Sequence, residues 1–213
     1  MKTLKKGLFL TIEGPDGSGK TTACQTVLQR LKQEGYDVIY TREPGGSNIA
    51  EQIRSVILDV NNTEMEIRTE AMLYAAARRQ HLIEVVLPAL KENKIIVCDR
   101  FVDSSLAYQG YGRGIGIDEV MSINQFAIGN NFPDLTIYYD VDATVGLQRI
   151  ANRSGLDRLD KESLAFHQKV VEGYKIICSR YPERIKIVDA SQDMDKVASD
   201  TYDLIIGKIK ENV

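Results

Sequence analysis

The sequence predicts an α/β fold in which a five-stranded parallel sheet carries helices on both faces. Short apolar runs alternate with longer stretches of helical periodicity, the pattern of crossover units. Most of these runs end in a polar or acidic residue, which suits an open parallel sheet that meets ligands beyond the carboxyl ends of its strands. A glycine-rich octapeptide also joins the first run to the first helical stretch. At 213 residues, 43% hydrophobic and 27% charged, the chain suits one domain spanning 1–213 with a continuous core.

In chain order, Leu8 to Glu13 reads as the first strand and Thr21 to Gln33 as the first helix. Val38 to Thr41 is the second strand, a loop covers Arg42 to Gly46, and a helix follows over Ser47 to Leu58. A long helix is expected from Glu70 to Lys91, then a third strand from Ile95 to Asp99. The glycine-rich stretch Gln109 to Gly116 reads as a mobile loop before a helix over Asp118 to Ile128. Leu135 to Asp140 and Ile185 to Asp189 complete the strands, several of them rich in Ile, Val and Tyr. Thr144 to Asn152, Ser163 to Arg180 and Met194 to Lys210 complete the helices. Glu13, Thr41, Asp99 and Asp140 would then converge at one edge of the sheet.

Charge and cysteine content exclude several classes. A net charge of −3 and a pI near 5.5 provide no general basic field, so a nucleic-acid polymer is not an expected partner and any phosphate site must be local. Cys24, Cys98 and Cys178 lie far apart with no Cys-x-x-Cys spacing, which favours reduced thiols and a cytoplasmic setting. The basic start resembles an export leader only until the apolar run stops at Glu13, and no stretch is long enough for a membrane span.

Gly14-Pro15-Asp16-Gly17-Ser18-Gly19-Lys20-Thr21 fits G-x-x-x-x-G-K-[ST] in the required position, after a strand and before a helix. The glycines let successive N–H groups face one anion, and the helix start adds its positive dipole end. The cradle would take ATP or GTP, with Lys20 reaching its β- and γ-phosphates, Thr21 helping to hold Mg2+, and Thr22 counted among the nucleotide-binding residues. The only Asn-Lys, Asn93-Lys94, is followed by Ile95 and Ile96, so the guanine-reading signature of a switch GTPase is missing. A transfer enzyme needs a second pocket.

Asp99-Arg100-Phe101-Val102-Asp103-Ser104-Ser105-Leu106-Ala107-Tyr108-Gln109 supplies residues for one, and this segment resembles the signature of thymidylate kinases. Thr41-Arg42-Glu43-Pro44-Gly45-Gly46, Ile53-Arg54 and Tyr74-Ala75-Ala76-Ala77-Arg78 resemble further motifs of that family, in the same order. The resemblance implies the P-loop nucleoside-monophosphate kinase fold with a short lid at about 149–161, and transfer of the γ-phosphate of ATP to dTMP. It also implies that Arg54 and Arg100 hold the acceptor phosphate, a task suited to paired guanidinium donors. Tyr74 and Arg78, four apart on one helix face, correspond to the residues that stack on thymine and hydrogen-bond its edge. Gln109 would complete the base pocket, and Ser104, Ser105 and Tyr108 would lie near base and sugar. Asp16 would meet either the deoxyribose 3′ end or a magnesium shell, Asp99 would organise magnesium and orient Arg100, and Glu43 would support the sugar side.

The phosphate loop contains no arginine, so the chain resembles family members that supply a catalytic arginine from the lid. Arg153 is the first candidate, then Arg158, then Arg149. Positioning and charge stabilisation would then suffice for an in-line transfer, without a protein nucleophile, and His81 and His167 are assigned no chemical role. The family resemblance further implies a homodimer packed through helices. Another deoxynucleotide or deoxynucleoside kinase, or a non-catalytic P-loop regulator, would share the cradle and differ in the acceptor pocket.

Overall fold

The computed structural model describes residues 2, 4–151, 155 and 157–212. Five parallel strands form one sheet in the order β2-β3-β1-β4-β5: β1 (Leu8–Glu13), β2 (Val38–Arg42), β3 (Ile95–Asp99), β4 (Leu135–Asp140) and β5 (Ile185–Asp189). Four of the five have the expected bounds, and β2 runs one residue further.

The two-residue period of β1 divides the core between the faces of the sheet. Leu8, Leu10 and Ile12 pack with α1 (Lys20–Gln33) and with the C-terminal helix described below, while Phe9 belongs to the apolar layer of the other face. Glu13 shares the face of Phe9, so its carboxylate is carried into a packed layer rather than into solvent. Register places Arg42 opposite Asp99 and Asp99 opposite Ile12, aligning the strand ends that frame the site.

After α2 (Asn48–Leu58), the expected helix Glu70–Lys91 is divided into α3 (Ile67–His81), a π-helical stretch Leu82–Val86, and α4 (Leu87–Lys91). Pro88 lies in the first turn of α4, where its missing N–H and its ring disfavour an uninterrupted α-helix; the widened turn upstream absorbs the conflict. A second departure follows β3. Only the second half of the expected loop Gln109–Gly116 is irregular: α5 (Val102–Ser105) runs into a π-helix over Leu106–Gly112, with Gln109 and Gly110 buried. The glycines there permit close packing rather than mobility. A Cβ on Gly112 would lie 3.1 Å from the Phe166 ring, and one on Gly110 3.1 Å from Ile117 Cα. The remaining helices are α6 (Ile117–Ile128), α7 (Ala143–Ile150), α8 (Leu164–Arg180) and α9 (Met194–Lys210). The expected end of α7 at Asn152 lies outside the described residues. Among the described residues, no helix is long and apolar enough to cross a membrane.

Candidate active site

The phosphate loop leaves β1 and enters α1 with Gly17 and Gly19 at φ 75° and 84°, values that favour glycine. It lies directly on α7. A Cβ on Gly17 would come within 2.0 Å of the Gly146 carbonyl oxygen, and one on Gly146 within 2.4 Å of the Asp16 carbonyl oxygen. Lys20 Nζ donates to the carbonyls of Gly14 (3.0 Å) and Pro15 (2.8 Å) and to Ser18 Oγ (3.2 Å). Burial, helped by Arg100, pulls the Lys20 ammonium down to about 8. Thr22 is exposed on the first turn of α1 and does not line the cleft.

At the mouth of the loop, Thr21 Oγ1 lies 3.3 Å and the Tyr40 hydroxyl 3.2 Å from Asp99 Oδ2. Asp99 Oδ1 is buried and has no hydrogen-bond partner among the described residues. A hydroxyl and a carboxylate with an uncommitted oxygen are the donor types that a hard divalent cation takes, so Thr21 and Asp99 fit magnesium.

Arg100 has φ 71°, unusual for a residue with a Cβ, and its N–H is fixed to the Ile12 carbonyl at 2.9 Å. That backbone turns the guanidinium back over the phosphate loop. Nη1 donates to the Gly14 carbonyl (2.9 Å), and Nη2 donates to Asp16 Oδ1 (2.6 Å) and the Tyr108 hydroxyl (3.3 Å). Tyr108 also donates to Asp16 Oδ2 (2.7 Å). Burial alone would raise the Asp16 pKa, but Arg100, Lys20 and the Tyr108 hydroxyl outweigh it and hold the acid at about 2. Beneath Arg100, Glu13 accepts from Phe101 N (2.7 Å), Ser104 Oγ (2.5 Å) and Tyr174 OH (2.9 Å). Burial, with Asp103 nearby, pushes Glu13 up to about 7 despite these donors.

A cleft of about 260 Å³ extends from Gly17–Thr21 past Arg100 and Ser104 to Arg54, Tyr74 and Gln109. Arg54 Nη1 donates to the Pro44 carbonyl (2.8 Å), in the loop that carries a cis Glu43–Pro44 bond. Behind this wall lies a buried polar chain. Thr41 Oγ1 and His81 Nε2 share a hydrogen bond (2.7 Å), as do His81 Nδ1 and Glu43 Oε1 (2.8 Å). Arg78 Nε donates to Glu43 Oε2 (2.7 Å), Nη1 to Ser105 Oγ (3.0 Å) and Asn124 Oδ1, and Nη2 to the Phe101 carbonyl (2.8 Å). Arg78 is 1% exposed and four of its five N–H donors are engaged, so it braces the pocket from behind, and Ser105 with it. His81, assigned no chemical role from the sequence, is a fully buried member of this polar chain.

The lid arginines separate. Arg158 donates from Nε to the Ile57 carbonyl (2.9 Å) and from Nη2 to Glu70 Oε2 (2.5 Å), which sets it on the Tyr74 side, away from the phosphate loop. This departs from the expectation of a phosphoryl contact: buried Glu70 is a stronger local partner for a guanidinium than an exposed lid position provides. Arg149, third choice from the sequence, donates from Nη1 to the Gly17 (3.3 Å) and Ala190 (3.2 Å) carbonyls beside the loop. Arg153 lies outside the described residues.

Sequence reasoning missed Glu70, Tyr174 and Asn124 and gave Glu13 no specific role. Glu70 could have been found, since it shares the α3 face of Tyr74 and Arg78 at spacings of four and eight. Tyr174, 161 residues from Glu13, has no such local signal.

Comparison with known proteins agrees with this geometry. A family model described as thymidylate kinase matches residues 12–201. The chain is 55% identical over 207 residues to a thymidylate kinase of Geobacillus sp. (strain WCH70), covering 96% of this chain and 99% of that protein. It is 56% identical over 207 residues to the thymidylate kinase of Bacillus velezensis, covering 96% and 98%. It is 57% identical over 196 residues to that of Clostridium novyi, covering 91% and 96%.

Proposed function

The chain belongs to the thymidylate kinase family, and we propose that it transfers the γ-phosphoryl group of ATP to dTMP, giving dTDP and ADP and so supporting dTTP synthesis. The observation that carries this reading is the single continuous cleft linking the phosphate loop to Tyr74 and Gln109, with Arg100 between them. An acceptor phosphate held by Arg100 and Arg54 faces the nucleotide end of the cleft. Tyr74 offers a ring for base stacking and Gln109 an amide for its edge.

A phosphate oxygen of dTMP attacks the γ-phosphorus in line, the new P–O bond forms, and the bond to the β-phosphate oxygen breaks as ADP leaves. Lys20 meets the β- and γ-phosphates, and the N–H groups of Gly17 to Thr21 line their path. Arg100 follows the charge on the acceptor side, where its fixed backbone keeps it oriented without reorganisation. Asp16 holds the other face of Arg100 and, paired with Tyr108, stays ionised at all physiological pH values. Thr21 and Asp99 would hold magnesium, which neutralises charge on the transferring phosphates when bound. Arg149, whose Nη1 donates to the Gly17 carbonyl, is a lid-side guanidinium beside the phosphate loop.

A second copy of the chain is the protein partner that the surface supports. Met72, on α3, and Ile83, on the π-helical stretch that continues it, are 53% and 43% exposed and lie about three turns apart. Phe126 is 93% exposed on the adjoining α6, to which Arg79 ties α3 through the Ala127 carbonyl. Apolar groups so placed suit an isologous helical interface. Three buried, unpaired cysteines suit the reducing cytoplasm.

The test is coupled ADP release with ATP, magnesium and a panel of dTMP, dUMP, dAMP, dCMP, dGMP and thymidine, on the parent protein and Arg100→Ala. A dTMP preference whose kcat falls about 100- to 1,000-fold in Arg100→Ala is expected. Phosphorylation of thymidine but not dTMP would overturn the acceptor assignment.

A further inference from the structure

We propose that Glu70 is a specificity-positioning residue: it fixes the Gln109 amide with its carbonyl oxygen toward the base, so that the pocket accepts a pyrimidine bearing an N3–H and rejects cytosine. The inference rests on the dTMP-kinase reading above and deepens it.

A primary amide has one donating and one accepting end, and its hydrogen-bond partners decide which of them faces a ligand. Gln109 Nε2 lies 2.8 Å from Glu70 Oε1. Glu70 is 1% exposed, and its oxygens also receive Arg113 Nε (3.3 Å), Arg113 Nη2 (3.2 Å) and Arg158 Nη2 (2.5 Å). Burial opposes its ionisation, but Arg113, Gln109 and Arg158 outweigh it and hold the acid below its usual range. An ionised carboxylate only accepts, so the Gln109 NH2 must face it. Oε1 is then left for the cleft, where Gln109 is a lining residue and Oε1 meets no donor among the described residues.

An acceptor at that point matches the N3–H of thymine or uracil. Cytosine presents a lone pair at N3, and turning the amide to meet it would set Gln109 Oε1 against the Glu70 carboxylate. The repulsion comes from the pocket wall rather than from the ligand, which is how one residue rejects the wrong base without touching it. Glu70 cannot rotate to relieve it, because two guanidiniums hold it. Arg113 also pairs with Glu162 (2.6 Å), and Arg158 is anchored to the Ile57 carbonyl.

The experiment compares kcat/KM for dTMP and for 5-methyl-dCMP, which keeps the methyl group and reverses the N3 edge. In Glu70→Gln, whose amide can donate as well as accept, the Gln109 amide becomes free to turn. The dTMP to 5-methyl-dCMP ratio should fall about 10- to 100-fold. A parallel loss of both activities with the ratio unchanged would mean that Glu70 is only a structural support and would overturn the proposal. Gln109→Ala separates the two levels of inference. If it keeps the parent ratio, Gln109 does not read the base and the pocket assignment itself fails. If it lowers the ratio while Glu70→Gln does not, only the role of Glu70 fails. Should Glu70→Gln not fold, Glu70→Ala in a cycle with Gln109→Ala provides the same test, the expected result being strongly non-additive ratios and the refuting one additivity.

Discussion

Replacing Gly146 by alanine adds one methyl group, 2.4 Å from the carbonyl oxygen of Asp16. An ordinary contact to that atom needs about 3.4 Å, so the phosphate loop and α7 must part by about 1 Å. Neither side yields cheaply, since the obstructing atom is backbone and the loop is itself closed by the Arg100 to Gly14 bond. Alanine favours the helix over glycine by about 1 kcal/mol, while overpacking costs about 1–3 kcal/mol, so net stability falls by about 0–2 kcal/mol. In a chain of this size that lowers Tm by at most about 8 °C. Activity responds more strongly, because a shift of about 1 Å at a reacting centre costs about 100-fold. Coupled ADP release at saturating dTMP, with ATP varied, alongside a thermal melt, separates the two effects. A Gly146→Ala protein with kcat and KM for ATP within threefold of the parent would refute the idea that α7 sets the position of the phosphate loop.

Glu13 binds its proton more tightly in the folded protein, about 7 against the usual 4.5, so its contribution to stability is full below pH 4.5 and is lost as pH rises through 7. Across that window the loss is about 3 kcal/mol, and Glu13→Gln should flatten the fall in Tm between pH 5 and 8; equal slopes in both proteins would refute it. Asp99→Asn should raise the magnesium concentration for half-maximal activity about tenfold or more, read by titration at fixed ATP, and an unchanged requirement would remove Asp99 from the metal site. Phe126→Asp should convert a dimer to monomer by light scattering, while an unchanged mass would place the contact elsewhere.

The strands were legible because β1, β3 and β4 are buried on both faces and so read as near-continuous apolar runs, while β2 and β3 end in Arg42 and Asp99 at the cleft. The phosphate loop was equally legible, its glycines being required by backbone geometry at Gly17 and Gly19. Leu106–Gly112 was not, because local propensity gives glycines to loops, whereas here Gly110 and Gly112 admit Ile117 and Phe166. The direction taken by Arg78 was also hidden. Helical spacing placed it on the face of Tyr74, but only Glu43, Ser105 and Asn124, from three other segments, show that its donors are already engaged. Arg158 diverges for the same reason: its partner Glu70 lies 88 residues away.

The wide turn at Leu106–Gly112 carries an implication for how this protein could change over time. An ordinary helix advances about 100° per residue, and a π turn advances less because it holds more residues. Ser104 and Ser105, which serve the Glu13 and Arg78 networks, and Gln109, which faces the cleft, are therefore phased to each other by one surplus residue. A lineage that deleted a residue here would gain a more regular helix while rotating Gln109 away from Glu70 and the cleft. Point substitutions can tune acceptor choice gradually, but length variation in this segment would forfeit it in one step.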